Sequence, residues 1–171
     1  MTKYEELLEE FESYCRSANG AKSDVLMQHI ADRLHESMTR YNWVGFYFME
    51  APAFDALVLG PCAGSFVPIQ RIPLDKGLCG AAATSGRTVA VNNVAADPRY
   101  LGSDMVKSNL VAPIFAKTSE AKTSEAKKRV VAEICIESYF ANTFTAAETA
   151  FIEACAALVG RYIEKSGDRA I

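Results

Sequence analysis

The sequence has few of the residues that hold metal ions. It contains two histidines, His29 and His35, no CxxC pair and no histidine-rich tract. Structural zinc sites are built from such cysteine and histidine groups. We therefore expect no metal site, and nothing in the composition calls for a cofactor.

Long apolar runs and a large charge of one sign are also absent. No apolar stretch approaches the roughly 20 residues that a membrane-spanning helix needs. The net charge of -3 gives no electrostatic reason to expect nucleic acid or an anionic membrane as a partner. The opening residues, MTKYEELLEEFE, are acidic and helically patterned, unlike a signal peptide. Five cysteines, an odd count without close pairs, fit a reduced cytoplasm better than a disulfide framework.

Amphipathic helices are predicted near both ends of the chain, over residues 2–17, 23–40 and 145–165. Thr2 with Glu5 forms the capping-box pattern that begins a helix, and Thr145 with Glu148 repeats it. Ser23 is the expected N-cap of the second helix. The first and last of these helices carry more apolar surface than one sheet face can hide, so we expect a homodimer.

Between these helices the chain alternates strand-like segments with turns. Strands are predicted over residues 43–49, 56–62, 71–73, 88–91, 109–115 and 129–138, and a short helix over 77–83. The segment WVGFYFM is apolar on both faces, which indicates a central strand. It should pair with the next strand, which ends at Gly60-Pro61, as an antiparallel hairpin. The 92–104 loop holds at most one helical turn and has the length of a lid or binding loop.

This order of elements predicts one α+β domain spanning residues 1–171. The terminal helices pack on one face of the sheet. The short helix and the 92–104 loop cover the other face and leave a pocket between. Residues 116–128, AKTSEAKTSEAKK, contain KTSEA twice and predict an exposed, inserted hairpin loop of low complexity. A partner-binding role for its lysines is the alternative.

Cys79 lies between two glycines in the first turn of the short helix, which Gly86 closes. Exposed N–H groups at a helix N-terminus favour a thiolate, so a reactive cysteine is one interpretation. The other is a small apolar residue that packs in a tight turn, as most free cysteines do.

The strand RVVAEICIES alternates between two kinds of side chain. Val130, Ala132, Ile134 and Ile136 point one way, towards the core, and Val131, Glu133, Cys135 and Glu137 point the other. The second face is either solvated or lines a ligand pocket beneath the 92–104 loop, with Glu137 and Cys135 in its wall.

Together these elements resemble a GAF domain. The resemblance rests on WVGFYF, LVLGP, RIP, KGLCG, EICIES and the FT-x-x-E opening of the last helix, in that order, and covers about residues 1–165. More narrowly, the chain resembles the free methionine-(R)-sulfoxide reductases, which are stand-alone GAF domains. The resemblance implies a six-stranded antiparallel sheet, a small-molecule pocket on one face, a cytoplasmic location and a homodimer through the terminal helices.

The resemblance also implies a reaction. Members of that family reduce free methionine sulfoxide with three cysteines, while carboxylates on the sheet hold the substrate. A thiolate attacks the sulfoxide sulfur, a sulfenic acid forms, and a second cysteine closes a disulfide that thioredoxin reduces.

Most of that chemistry is missing from this sequence. Cys79 matches one family cysteine, but a second falls at Ile69 and the nucleophile falls at Ser103. The family's Asp-x-Asp becomes Cys135-x-Glu137. A serine cannot form a sulfenic acid, and no cysteine lies between residues 80 and 134.

Two hypotheses follow. The first is a non-catalytic GAF module that binds an unidentified small molecule in a sensory or regulatory role. The second is a reductase with relocated thiols, in which Cys79 or Cys135 attacks, Cys62 or Cys79 resolves and thioredoxin is the partner. A cyclic nucleotide is a weaker variant, because no basic residue is placed to neutralise a phosphate. The candidate ligand-binding residues are Trp43, Tyr47, Cys79, Ser103, Asp104, Asn109, Cys135 and Glu137.

Overall fold

A computed structural model describes residues 1–66, 68–117 and 127–167. The helices are α1 (Lys3–Ser17), α2 (Ser23–Ser37), α3 (Gly77–Ser85) and α4 (Ala146–Ser166). The strands are β1 (Trp43–Met49), β2 (Ala56–Gly64), β3 (Arg71–Pro73), β4 (Val89–Val91), β5 (Ser108–Ala116) and β6 (Arg129–Ser138). A 3-10 turn at Val94–Ala96 is the helical turn expected in the 92–104 loop. None of the described helices has the length and apolar character to cross a membrane.

The strands form one six-stranded antiparallel sheet in the order β3-β2-β1-β6-β5-β4. β1 is buried along nearly its whole length and pairs with β2 on one side and β6 on the other. The predicted central strand and its hairpin with the next strand are therefore confirmed. Since β3 and β4 are short strands of three residues, they close the two edges with little exposed backbone.

The sheet separates two apolar clusters, and the predicted α+β architecture is confirmed. Helices α2 and α4 pack on one face, with α1 against both helices, and the larger cluster forms there around Phe11, Ile30 and Val159. α3 packs on the opposite face against β5 and β6, over a smaller cluster that includes Trp43 and Leu57. The α3 face of the sheet is therefore covered by fewer packed side chains than the opposite face.

Two threonines cap the first and last helices. The Thr2 hydroxyl accepts from the Glu5 N–H at 3.2 Å, and the Glu5 carboxylate accepts from the Thr2 N–H at 2.6 Å, which completes a capping box. Thr145 accepts from the Glu148 N–H at 3.1 Å. The Glu148 carboxylate instead accepts from the Tyr4 hydroxyl at 3.1 Å, so it ties α4 to α1.

The second helix differs from its predicted bounds at both ends. Lys22 is the N-cap, and Ser23 is the first helical residue, fully buried. The helix ends at Ser37, three residues before the predicted end, because Met38 is extended and turns inwards. The carbonyl of Tyr41, beyond the helix end, lies 2.8 Å from the His35 ring nitrogen Nδ1.

β2 does not stop at Gly60-Pro61 but continues to Gly64. Its register against β1 shifts between Gly45 and Tyr47, so the pair carries a bulge on β2. Pro61 has no N–H to donate, and a bulge is one of the few places in a sheet that accepts proline. A Cβ at Gly60 would lie 2.2 Å from the Phe48 ring, which explains the glycine beside it.

A second bulge corrects the predicted alternation of β6. The register with β5 shifts between Ile114 and Phe115, so Val131 has no opposite residue. Val131 therefore joins the helix-side core, whereas Val130 is half-buried outside it. From Ala132 onwards the predicted alternation holds.

The sequence-based reason for a homodimer does not hold. Among the described residues, no large apolar side chain that stays exposed lies on α1 or α4, because the apolar stripes of both helices pack into the chain's own core. The homodimer itself stays a prediction. The inserted hairpin loop predicted at residues 116–128 lies, for its central part, outside the described residues.

Candidate functional site

A cavity of about 340 Å³ lies on the α3 face of the sheet. It is lined by Trp43, Tyr47, Phe66, Pro68, Ile69, Ile72, Gly77, Leu78, Cys79, Leu101, Gly102, Ser103, Asn109, Cys135 and Glu137. Strand residues form its floor, α3 forms one wall, and the covering loop (residues 92–104) forms part of its rim. Most of these side chains are apolar, and the few polar groups converge from three strands and the loop.

The floor follows from the pairing of β1, β5 and β6. Glu137 is opposite Trp43 on one side and Asn109 on the other, and Cys135 is two residues along the same face. The Asn109 amide donates to the Ile136 carbonyl at 2.9 Å and to the Cys135 sulfur at 3.4 Å. These bonds fix the amide beside the carboxyl group of Glu137.

Gly45 makes room for the aromatic wall. The Trp43 indole folds across β1 so closely that a Cβ at Gly45 would lie 2.2 Å from it. Phe66 stacks on the indole, with ring centroids 5.8 Å apart. Tyr47 lies 6.1 Å from the indole, and its hydroxyl donates to the Ile69 carbonyl at 2.8 Å. The resulting wall is flat, apolar and held at both ends.

α3 brings Cys79 to the cavity by a close approach of backbone. A Cβ at Gly80 would lie 2.5 Å from the Leu74 carbonyl oxygen, so only glycine lets the helix pack this tightly. Cys79 is buried in the same apolar cluster as Cys135. Hydrogen bonding with Cys135 and burial raise the pKa of the Cys79 thiol well above its ordinary value. Of the two interpretations of this cysteine, burial and the raised pKa favour the small packed residue over the reactive thiolate.

Opposing effects act on the pKa of the Cys135 thiol. The hydrogen bond from Cys79 lowers the pKa of the Cys135 thiol, but burial and the nearby Glu137 carboxyl raise it by more. Both cavity thiols are thus held in the protonated form at neutral pH. Because the thiolate is the nucleophile, both are poor attacking groups in this state.

Two carboxyl groups lie on the same face of β6. Burial raises the pKa of Glu137 to about 7. Glu133 is fully buried behind the cavity, and neither of its carboxyl oxygens has a hydrogen-bond partner among the described residues. Burial raises the pKa of Glu133 well above its ordinary value, which the adjacent Cys79 thiol offsets only in part. Since the described lining includes no lysine or arginine, the cavity favours cationic or neutral ligands over anions.

The covering loop reaches Glu137 through Gly102. A Cβ at Gly102 would lie 2.5 Å from the Tyr100 hydroxyl and 3.5 Å from a Glu137 carboxyl oxygen. The Tyr100 hydroxyl donates to the Ser103 carbonyl at 3.1 Å, and the Ser103 hydroxyl accepts from the Met105 N–H at 3.1 Å. Ser103 therefore faces the cavity as part of a closed turn.

The structure gathers seven of the eight candidate residues around the cavity. Asp104 is the exception, because it is exposed and does not belong to the lining. Cys62 is half-buried on β2 and also lies outside the lining. Its carbonyl accepts from the Gln28 side chain at 2.9 Å. Cys62 therefore does not belong to the cavity wall, although it packs against the cavity-side cluster.

Sequence reasoning missed the apolar part of the lining, which includes Phe66, Ile72 and Leu101. These residues come from turns and a three-residue strand, where no period predicts which way a side chain points. Tyr100 was missed for the same reason. The alternation of side chains along β6 was sufficient to predict that Cys135 and Glu137 lie in the wall of the cavity.

Comparison with known proteins identifies relatives along most of the chain. The GAF domain family matches residues 23–163. The Zymomonas mobilis protein ZMO0507 is 31% identical over 141 residues, which cover 80% of this chain and 78% of that protein. The structure of free methionine-R-sulfoxide reductase from Neisseria meningitidis in complex with its substrate superimposes with a TM-score of 0.81. That likeness has 27% identity and covers 96% of this chain and 90% of the other.

Two curated reductases match a shorter part. Free methionine-R-sulfoxide reductase of Saccharomyces cerevisiae is 40% identical over 76 residues, 44% of this chain and 42% of that protein. The Escherichia coli protein of the same name is 34% identical over 85 residues, 49% of each. The matched region thus spans about half of the length of these relatives.

Proposed function

This chain belongs to the GAF domain family and is related to the free methionine-R-sulfoxide reductases, and we propose that it binds a small molecule in the cavity without converting it. The observation that carries the proposal is the chemistry of the cavity wall. Its two thiols, Cys79 and Cys135, are buried and protonated, and the covering loop presents Ser103. The site thus has the shape of a binding pocket without an activated sulfur nucleophile.

The lining also indicates the class of ligand. Glu137 supplies a carboxyl group that gains from a cationic partner, because a nearby positive charge stabilises its ionised form. Trp43, Tyr47 and Phe66 supply a flat apolar wall for the rest of the molecule. A small, net neutral molecule with an ammonium group and an apolar body, such as an amino acid with an unbranched side chain, matches both features. A cyclic nucleotide does not, since no cation among the described lining residues could neutralise its phosphate.

The relocated reductase is less well supported by this geometry. It requires a thiolate in contact with the substrate and a second thiol to resolve the sulfenic acid. Cys62 does not line the cavity, and the remaining pair is buried with raised pKa values. A role for thioredoxin belongs only to that alternative, and the cytoplasmic location stays a prediction.

Calorimetric titration with L-methionine and L-methionine-(R)-sulfoxide tests the proposal. We expect at least one of them to bind, with proton release near pH 7 as Glu137 ionises. Glu137→Gln should weaken binding by about tenfold or more, because a charge-assisted hydrogen bond is lost. Asp104→Asn removes an exposed carboxylate outside the lining and should leave binding unchanged.

The analogue 3-(methylthio)propionate, which lacks the ammonium group, should not bind. Equal affinity of wild type and Glu137→Gln for L-methionine, or tighter binding of the propionate, would contradict the proposed ligand class. Steady consumption of the sulfoxide would contradict the non-catalytic function.

A further inference from the structure

A second cavity, of about 540 Å³, lies where α4 and the connection between α3 and β4 meet β5. Its lining includes Arg87 from that connection, Phe115 from β5, Lys128 just before β6, and Arg161 from α4. Among the described residues, it has no lining residue in common with the cavity on the α3 face. The proposed function therefore leaves this second cavity unexplained.

The second cavity carries an excess of positive charge. Arg87, Lys128 and Arg161 line it together with a single carboxylate, Glu153. The chain as a whole has the opposite balance, with 21 acidic and 18 basic residues. Neither arginine forms an ion pair within the part of the chain that the structure describes, whereas Lys128 lies 3.7 Å from the Glu164 carboxylate. Two guanidinium groups without a carboxylate partner favour an anionic ligand.

The α4 wall of the second cavity separates its positive end from its negative end. Glu153, Ala157 and Arg161 follow one another at intervals of four residues, so they lie on one stripe of the helix. Glu153 and Arg161 are about 12 Å apart along the helix axis. Glu153 thus does not neutralise Arg161, and the small side chain of Ala157 leaves space between them.

Phe115 gives the second cavity an apolar surface. The residue is 39% exposed, and its ring lies against the turn that ends α3, where a Cβ at Gly86 would be 3.5 Å from the ring. Its carbonyl oxygen is so close to α4 that a Cβ at Gly160 would lie 2.3 Å from it. Contacts on both sides therefore hold Phe115 in place, and the exposed part of the ring can receive a flat apolar group.

We propose that the second cavity binds a small organic dianion, a phosphate monoester with a compact apolar body. Such a phosphate carries a charge of about −1.5 to −2 at neutral pH, which suits two unpaired arginines better than a single carboxylate does. Arg87 and Arg161 bind the phosphate, with Lys128 nearby, and the apolar body packs on Phe115. The volume is within the range of small-molecule sites. This site is independent of the function proposed for the first cavity.

Nuclear magnetic resonance of the ¹⁵N-labelled full chain tests the site, with phenyl phosphate as the probe. Titration should give saturable shifts that are largest at the amides of residues 86–88 and 115. Inorganic phosphate and benzyl alcohol, which each carry only one half of the probe, should bind at least about tenfold more weakly. Raising sodium chloride from about 0.05 M to about 0.5 M should weaken the binding of phenyl phosphate, because the arginines are exposed.

Arg87→Gln and Arg161→Gln should each weaken the binding of phenyl phosphate at least about fivefold. Phe115→Ser should reduce the preference for phenyl phosphate over inorganic phosphate. Arg40→Gln, which removes an exposed arginine outside the lining, is the matched control and should leave the affinity unchanged.

No saturable shift, or shifts centred on Asn109 and Glu137 in the first cavity, would overturn the proposed site. Equal affinity of wild type and both arginine variants would overturn it as well. Inorganic phosphate that binds as tightly as phenyl phosphate would overturn the ligand class. Titration of the same sample with L-methionine reports on the first cavity, so failure of one proposal is distinguishable from failure of the other.

Discussion

Glu133 carries an acidic side chain at a fully buried position beside the Cys79 thiol. The residue is fully buried, and both carboxyl oxygens lack a hydrogen-bond partner among the described residues. A buried polar group in this condition costs about 1–3 kcal/mol, even in its neutral form. The buried carboxyl group of Glu133 therefore lowers the stability of the folded protein.

Replacement of Glu133 by valine should therefore stabilise the protein. We expect the free energy of unfolding in urea to rise by about 1 kcal/mol or more, because the unpartnered polar atoms are removed. Glu133→Gln keeps two polar atoms at the same place and serves as the control, which should give no gain. A valine variant less stable than both would show that the carboxyl group has a partner in solution.

The pH dependence of stability reports on Glu137. Its folded pKa of about 7 lies above the ordinary value of 4.5, so the folded protein holds a proton that the unfolded chain releases between these values. This contribution is complete below about pH 4.5 and is lost as pH rises towards 7, a decrease of about 3 kcal/mol. Glu133 acts in the same direction.

Glu137→Gln should remove the part of this pH-dependent decrease in stability that arises from Glu137. Urea unfolding of wild type and variant at closely spaced pH values from 4 to 8 should give a smaller decrease for the variant. Glu9→Gln, which removes an exposed carboxylate on α1, is the control and should keep the wild-type slope. Parallel curves for wild type and Glu137→Gln would show that this carboxyl group is ionised throughout.

At the scale of elements, α4 and β5 are in unusually close contact at Gly160. A Cβ there would lie 2.3 Å from the Phe115 carbonyl oxygen, which is backbone and cannot move aside easily. Alanine in a helix normally stabilises it by about 1 kcal/mol relative to glycine. Because of the close approach at this position, alanine should destabilise the protein relative to glycine.

We expect Gly160→Ala to lower the free energy of unfolding by about 2 kcal/mol, as overpacking does. Ala157→Gly, at an exposed position of the same helix, measures the ordinary propensity and should cost about 1 kcal/mol. A gain in thermal midpoint for Gly160→Ala would mean that α4 stands further from the sheet than described.

The elements that sequence could predict are those decided locally. The capping residue Thr2, the closing glycine Gly86 and the alternation from Ala132 onwards each depend on neighbours in the chain. The bulges at Gly60-Pro61 and Val131 depend on the partner strand, so no local pattern reveals them. The same holds for α2, whose end is decided by the inward turn of Met38.

The residues of the cavity fall into the same two groups, those that a local sequence pattern predicts and those that depend on tertiary contacts. The period of β6 was enough to place Cys135 and Glu137 on one face. The protonation of Cys79 could not be predicted, because it follows from burial and from contact with a strand 56 residues further along the chain. Phe66 and Leu101 carry no chemical signal in the sequence and reach the cavity through loops.

For the whole molecule, we keep the homodimer as a prediction that rests on family resemblance alone. Multi-angle light scattering at micromolar concentration should then give twice the chain mass of 18.6 kDa. The large apolar side chains of α1 and α4 are buried or half-buried against the monomer's own core, so an interface there would use mainly polar and half-buried side chains. A single species of 18.6 kDa would contradict the prediction.

The central claim is that the cavity binds a small molecule and does not reduce methionine sulfoxide. Reduction needs a polarisable sulfur that attacks as a thiolate and is held at the substrate. Ser103 provides no sulfur, and hydrogen bonding with Cys135 and burial raise the pKa of the Cys79 thiol well above its ordinary value. Ile69 removes one resolving partner that the resemblance implies.

NADPH consumption with thioredoxin, thioredoxin reductase and free methionine-(R)-sulfoxide is the most direct measurement. Wild type should give no rate above the blank, and Ser103→Cys, which returns a thiol to the covering loop, should give a weak one. A robust wild-type rate that Cys79→Ser abolishes would contradict this account and assign the chain a reductase activity with relocated thiols.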